Sequence, residues 1–172
     1  TVVVAGTKIN NPQDYLSAYA NGQGVYGEFA ARYPGTLGNS LLVSMADSVS
    51  FGTWAYKSYF NTAPGTSSYA ASLGNTNAND ELHVVVIDED GVITGYPGTV
   101  LEKYSFVSKA SDAKQSDGTN NYYKDAINAR SDYIYWMDHT STASNWGTTV
   151  VVGGVNTTFT GIASAVTRSL SG

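Results

Sequence analysis

Leu82-His83-Val84-Val85-Val86-Ile87-Asp88-Glu89-Asp90-Gly91-Val92-Ile93-Thr94 is the stretch that decides the fold class. The run Leu82 to Ile87, β-branched from Val84 on, enters an acidic Asp-Glu-Asp-Gly turn, and Val92-Ile93-Thr94 leads back. Asp-Gly between apolar β-formers is a strong short-range hairpin signal, because a tight hairpin turn needs residues that tolerate positive φ. The run is far too short for the ~20 apolar residues of a membrane-spanning helix. An antiparallel sheet is therefore the expected frame.

Working outward, Val100 to Val107 favours a strand, or a short helix followed by one, through Leu101, Tyr104, Phe106 and Val107. Upstream, Val25 to Tyr33 reads as a strand ended by Pro34-Gly35. Gly38-Asn39 turns the chain, and Ser40 to Ala46 returns, which predicts a loop-linked antiparallel pair. Thr1 to Ala5, Asp132 to Met137 and Thr148 to Val152 read as further strands, the last followed by Gly153-Gly154. Two helices are expected. Asn11 caps the first with Pro12 in its first turn, and Tyr15, Leu16 and Tyr19 share a face until Asn21-Gly22. Tyr122, Tyr123, Ala126 and Ile127 recur at helical spacing in the second. From Asp47 to Asn79 the pattern loosens, with loop signals at Pro64-Gly65 and Gly74 to Asn79; Ser111 to Asn121 reads as a polar loop, and the Ser/Thr-rich C-terminal stretch as a short helix or linker. Short strands with a few helices give an α+β, mainly β reading.

Composition agrees. The 172 residues suit one domain spanning 1–172. Charged residues make up 13%, about half the usual share, while Gly (18) and Tyr (13) are abundant, as turns and pleated faces require. Net charge is −5, and the 9 Lys and Arg are scattered, so no nucleic-acid footprint is present. The absence of cysteine removes disulfides, thiolate nucleophiles and zinc-thiolate sites. No membrane anchor is expected. The chain starts Thr-Val-Val-Val without Met or a signal peptide, so a processed product or an excerpt of a longer chain is expected.

Candidate chemistry is sparse. Asp88, Glu89 and Asp90 lack the alternating ligands and closing Glu of an EF-hand loop, so a solvated turn is expected rather than a metal site. His83 and His139 are the only histidines, and no Gly-x-Ser-x-Gly elbow accompanies them. No phosphate cradle is expected either. Asn156-Thr157-Thr158 fits a glycosylation sequon. The aromatics between Trp54 and Phe60 would make either a sugar-binding platform or core packing. Catalytic, cofactor-binding and metal-binding residues are accordingly expected to be absent.

Several segments together resemble one family. Gly27-Glu28-Phe29-Ala30-Ala31-Arg32-Tyr33-Pro34-Gly35-Thr36-Leu37-Gly38-Asn39-Ser40-Leu41 resembles the YPG-x-LGN segment of contractile tail sheath subunits. Asn79 to Gly91, Val100 to Tyr104, Phe106 to Lys114, Asn145-Trp146-Gly147 and Leu170-Ser171-Gly172 are similar to sheaths of T-even-like bacteriophages. The resemblance implies an outer insertion domain, a two-layer antiparallel β-sandwich flanked by short helices. The inner tube-binding domain would lie outside these residues. It further implies a structural virion protein of the phage tail, assembled in the host cytoplasm. Its partners would be other sheath subunits and, through the inner domain, the tail tube. Contraction would drive that tube through the host envelope, and the fragment alone would be a monomer. A phage-surface carbohydrate-binding module, resting on residues 51–60, and a hydrolase using His83 or His139 are the alternatives.

Overall fold

The computed structural model of the chain describes residues 8–22 and 25–171. The expected strand Thr1 to Ala5 lies outside the described residues. Helix α1, Pro12–Ala18, begins where Asn11 accepts the Asp14 amide on its side chain at 2.9 Å. Tyr15 pins it down by stacking on Tyr135 at 4.4 Å and donating its hydroxyl to the Trp136 carbonyl at 2.6 Å. There follow β1 (Phe29–Ala31), α2 (Thr36–Asn39) and β2 (Leu41–Asp47), then two short 3-10 turns, Phe51–Thr53 and Lys57–Tyr59. Next come α3 (Ser68–Ser72), β3 (Glu81–Asp88), β4 (Thr99–Ser108), α4 (Tyr123–Arg130) and β5 (Ile134–Trp136). The remaining strands are β6 (Val151–Val152), β7 (Val155–Asn156) and β8 (Val166–Ser169).

A four-stranded antiparallel sheet in the order β4-β3-β2-β8 forms the centre, with ribbons β1-β5 and β6-β7 outside it. The fold is α+β and mainly antiparallel β, as expected. All of β2 is buried because both faces of the sheet are covered. Leu41, Val43 and Met45 on β2, with Leu82, Val84 and Val86 on β3, face Phe29, Ile134, Trp136 and the α4 residues Tyr123 and Ile127. Leu42, Ala46, Val85 and Ile87 face the other way, onto Trp54 and Phe60. This double burial explains a near-continuous apolar run where a half-exposed strand would alternate. The ribbon β1-β5 and α4 act as a second layer, so the arrangement is sandwich-like.

Four sequence expectations are corrected. Val92-Ile93-Thr94 does not return as a strand; residues 89–98 are a loop, and β4 pairs with β3 from Thr99 opposite Asp88. The Asp88 carboxylate takes the Ile93 and Thr94 amides at 3.1 and 2.7 Å, so they are bonded to a side chain rather than a ladder. Second, β1 pairs with β5, not with β2. The Tyr-Pro-Gly-Thr-Leu-Gly-Asn segment is a turn and α2, in which Gly35 has φ 72° and a Cβ on Gly38 would overlap the Tyr33 carbonyl oxygen. Third, the C-terminal stretch supplies β8, the edge strand beside β2. Fourth, Thr148 to Val152 contributes only β6, and Gly153-Gly154, both at positive φ, turn it into β7.

Candidate functional site

Of Asp88, Glu89 and Asp90, the first is engaged inside the fold. Asp88 is fully buried at the end of β3. It accepts the Ser40 hydroxyl at 2.6 Å and the Thr94 hydroxyl at 2.8 Å besides the two amides already named. Burial alone would raise its pKa, but the bonds from Ser40, Thr94 and Ile93 outweigh it and hold the carboxyl below its usual range. Ser40 in turn accepts the Asp90 and Val92 amides at 3.2 and 3.3 Å, so the acidic turn is folded around an internal carboxylate. Among the described residues, no group of three or more His, Asp or Glu side chains is placed to hold a metal ion.

His83 is fully buried and His139 is half-buried. His83 stacks on Phe60 at 4.2 Å. Its Nε2 donates to the Thr62 carbonyl at 2.9 Å and its Nδ1 accepts the Phe106 amide at 3.0 Å, which fixes the neutral Nε2–H tautomer. His139 shares a 2.6 Å hydrogen bond with the Tyr123 hydroxyl, which also accepts Trp136 Nε1–H at 2.9 Å. Burial pushes both imidazole pKa values down and the Tyr123 hydroxyl well up. The partners described for the ring nitrogens are the Thr62 carbonyl and Phe106 amide at His83 and the Tyr122 and Tyr123 hydroxyls at His139, not the Asp and Ser of a hydrolytic triad.

Part of the aromatic stretch is core: Tyr59 stays exposed, and Phe51 and Tyr56 are half-buried. Trp54 and Phe60 are buried, and Trp54 Nε1 donates to Ser44 on β2 at 2.8 Å. Asn156 of the sequon sits exposed on β7 and donates to the Gly74 carbonyl at 3.2 Å. Gly22-Gln23-Gly24-Val25-Tyr26-Gly27 matches Gly-x-Gly-x-x-Gly, a spacing that sequence reading passed over. It follows a helix and precedes β1, the reverse of the strand-to-helix setting that cradles a pyrophosphate. Residues 23 and 24 lie outside the described residues.

Two features carry charge inward, and neither was signalled by spacing. Lys109, just past β4, and Asp47, at the end of β2, form an ion pair at 2.7 Å with both side chains fully buried. Arg168 on β8 grips Glu28 with two bonds, at 2.7 and 2.9 Å. That clamp borders a groove of about 460 Å³ between β1 and β8, lined by Phe29, Ala31, Tyr33 and Leu170 among others. The loop after β3 carries the most exposed large apolar side chain among the described residues, Tyr96 at 76%. No helix among the described residues is long and apolar enough to cross a membrane.

Among the described residues, no buried side-chain nitrogen or oxygen lacks a hydrogen-bond partner. Comparison with known proteins adds a relative: a tail sheath protein of Salmonella phage ViI is 38% identical over 72 residues. The likeness is to a phage tail sheath. The match covers 42% of this chain and 9% of the relative, so the matched segment spans under a tenth of that sheath protein's length. No family model matches the chain. The sheath resemblance drawn from the quoted segments is supported over that part of the chain.

Proposed function

We propose that residues 1–172 are an outer domain of a longer tail sheath subunit, a structural component of a phage tail. The observation that carries this reading is the 38% identity to a tail sheath protein. The double-sided burial of β2 and β3 supports it, because a domain carried on a contracting sheath must move as a rigid body. In this reading the domain works through shape and repeated contacts and uses no catalytic residue, cofactor or metal. Its partners are neighbouring sheath subunits in the homo-oligomer, each weak contact being multiplied by symmetry. The tail tube is contacted through an inner domain, which contraction uses to drive the tube through the host envelope. The subunit assembles in the host cytoplasm and ends in the virion, and the 172-residue chain alone is a monomer. It binds neither nucleic acid nor membrane. The sugar-binding alternative loses its main support, since Trp54 and Phe60 are spent on packing.

Deleting these residues from the full subunit and imaging the particles tests the reading. The expected result is a sheath that still surrounds the tube but lacks an outward lobe and its lateral contacts. Particles with an unaltered outer surface would refute the assignment.

A further inference from the structure

Lys109 Nζ lies 2.7 Å from Asp47 Oδ2, with neither side chain exposed. The ammonium also reaches the Asn79 and Thr160 carbonyls at 3.1 and 3.3 Å, and the Trp146 ring lies over it at 4.9 Å. Asp47 is held just as closely. Its Oδ1 accepts from the Val49 amide at 3.1 Å and from the Ser50 amide and hydroxyl at 3.4 Å, while Oδ2 accepts the Ile162 amide at 2.9 Å. Backbone amides aimed at one oxygen of a carboxyl are what stabilises the oxyanion of a tetrahedral intermediate. Burial pushes the Lys109 pKa down against the pull of Asp47, so the neutral amine is reached at less cost here than in water. The amine nitrogen and the Asp47 carboxyl then face each other in a fixed orientation, at high effective concentration.

We propose that Lys109 and Asp47 condense after folding into an intramolecular amide, an isopeptide bond between β2 and the segment following β4. The Nζ lone pair attacks Asp47 Cγ, and the negative charge collects on Oδ1, facing the Val49 and Ser50 amides. The Cγ–Oδ2 bond then breaks. Oδ2 leaves as water with two of the three ammonium protons, and the third remains as the amide N–H, with the Asn79 and Thr160 carbonyls beside it as acceptors. No oxidant or cofactor is required. The bond would bracket β3 and close a loop between positions 62 residues apart, in a chain that has no cysteine for a disulfide.

Intact-mass spectrometry of the purified, folded 172-residue chain tests this. The expected mass is one water below that of the sequence. Proteolytic mapping should give a branched peptide containing both Asp47 and Lys109, with cleavage after Lys109 blocked. Lys109→Arg and Asp47→Ala should each restore the full mass. The unmodified mass in the wild-type chain overturns the proposal, and this measurement needs no variant to fold. A one-water deficit that maps to Asp90-Gly91 or Asp117-Gly118, where succinimide formation loses the same water, overturns it too.

Discussion

The ring of His83 accepts the backbone N–H of Phe106 at 3.0 Å, where β3 and β4 fall out of register. Phe106 has φ 54°, so its amide turns out of the ladder and the imidazole replaces the missing strand partner. His83→Ala would orphan both that amide and the Thr62 carbonyl and leave a void against Phe60. The expected cost is about 2–4 kcal/mol, read from denaturant unfolding.

Stability should fall as pH drops from 7.5 to 5.5. Burial holds His83 and His139 below the ordinary imidazole value of 6.5, so in this range the unfolded chain binds more protons than the folded one. Their contribution is complete above 6.5 and is lost progressively below it, down to the depressed folded values. The urea midpoint should move down with little change in slope. Replacing both histidines by glutamine should flatten the dependence.

Asp88→Asn should loosen the loop after β3. The carboxylate accepts bonds from Ser40, Ile93 and Thr94, and an amide side chain cannot accept all of them. A loss of about 1–3 kcal/mol is expected, with faster hydrogen exchange at the Ile93 and Thr94 amides than in the wild type. Because the folded pKa is held down, this contribution is present above the ordinary carboxyl value of 3.8. It disappears as pH falls through the lower folded value.

Gly118 and Gly147 make a matched pair, with φ 84° and 83°. A Cβ at Gly118 meets nothing within 4 Å, whereas at Gly147 it meets His139 Nε2 at 2.9 Å and the Tyr122 hydroxyl at 3.0 Å. Gly118→Ala should cost about 1–2 kcal/mol, the backbone penalty alone. Gly147→Ala should cost about 1–3 kcal/mol more, through crowding, and thermal unfolding of the two variants would separate the terms.

Much of the framework was legible in the sequence. The valine run of β3 and the Asn11-Pro12 start of α1 are local signals, and each produced its element near the expected place. What failed depends on partners distant in the chain. Nothing near Val25 to Tyr33 says that β1 pairs with β5, some hundred residues later. The strand β8 carries only Val166 as a buried residue, so its periodicity is too weak to stand out. The β3 hairpin was misread for a different reason. Its Asp-Gly signal is genuine, but the buried Asp88 carboxylate competes for the amides of the return segment. The Lys109–Asp47 pair left no trace in spacing, since one lysine past a strand is usually solvated.

Thr167, near the end of the chain, lies opposite Ser44 near its beginning. During synthesis the β2 edge must therefore wait until residue 169 clears the ribosome before its outer neighbour can be laid down. Until then β2 offers unpaired amides and carbonyls to any nascent chain alongside it. A polysome making many copies of such a subunit would hold those open edges close together. Slower elongation before residue 169 would lengthen the time for which that edge stays open.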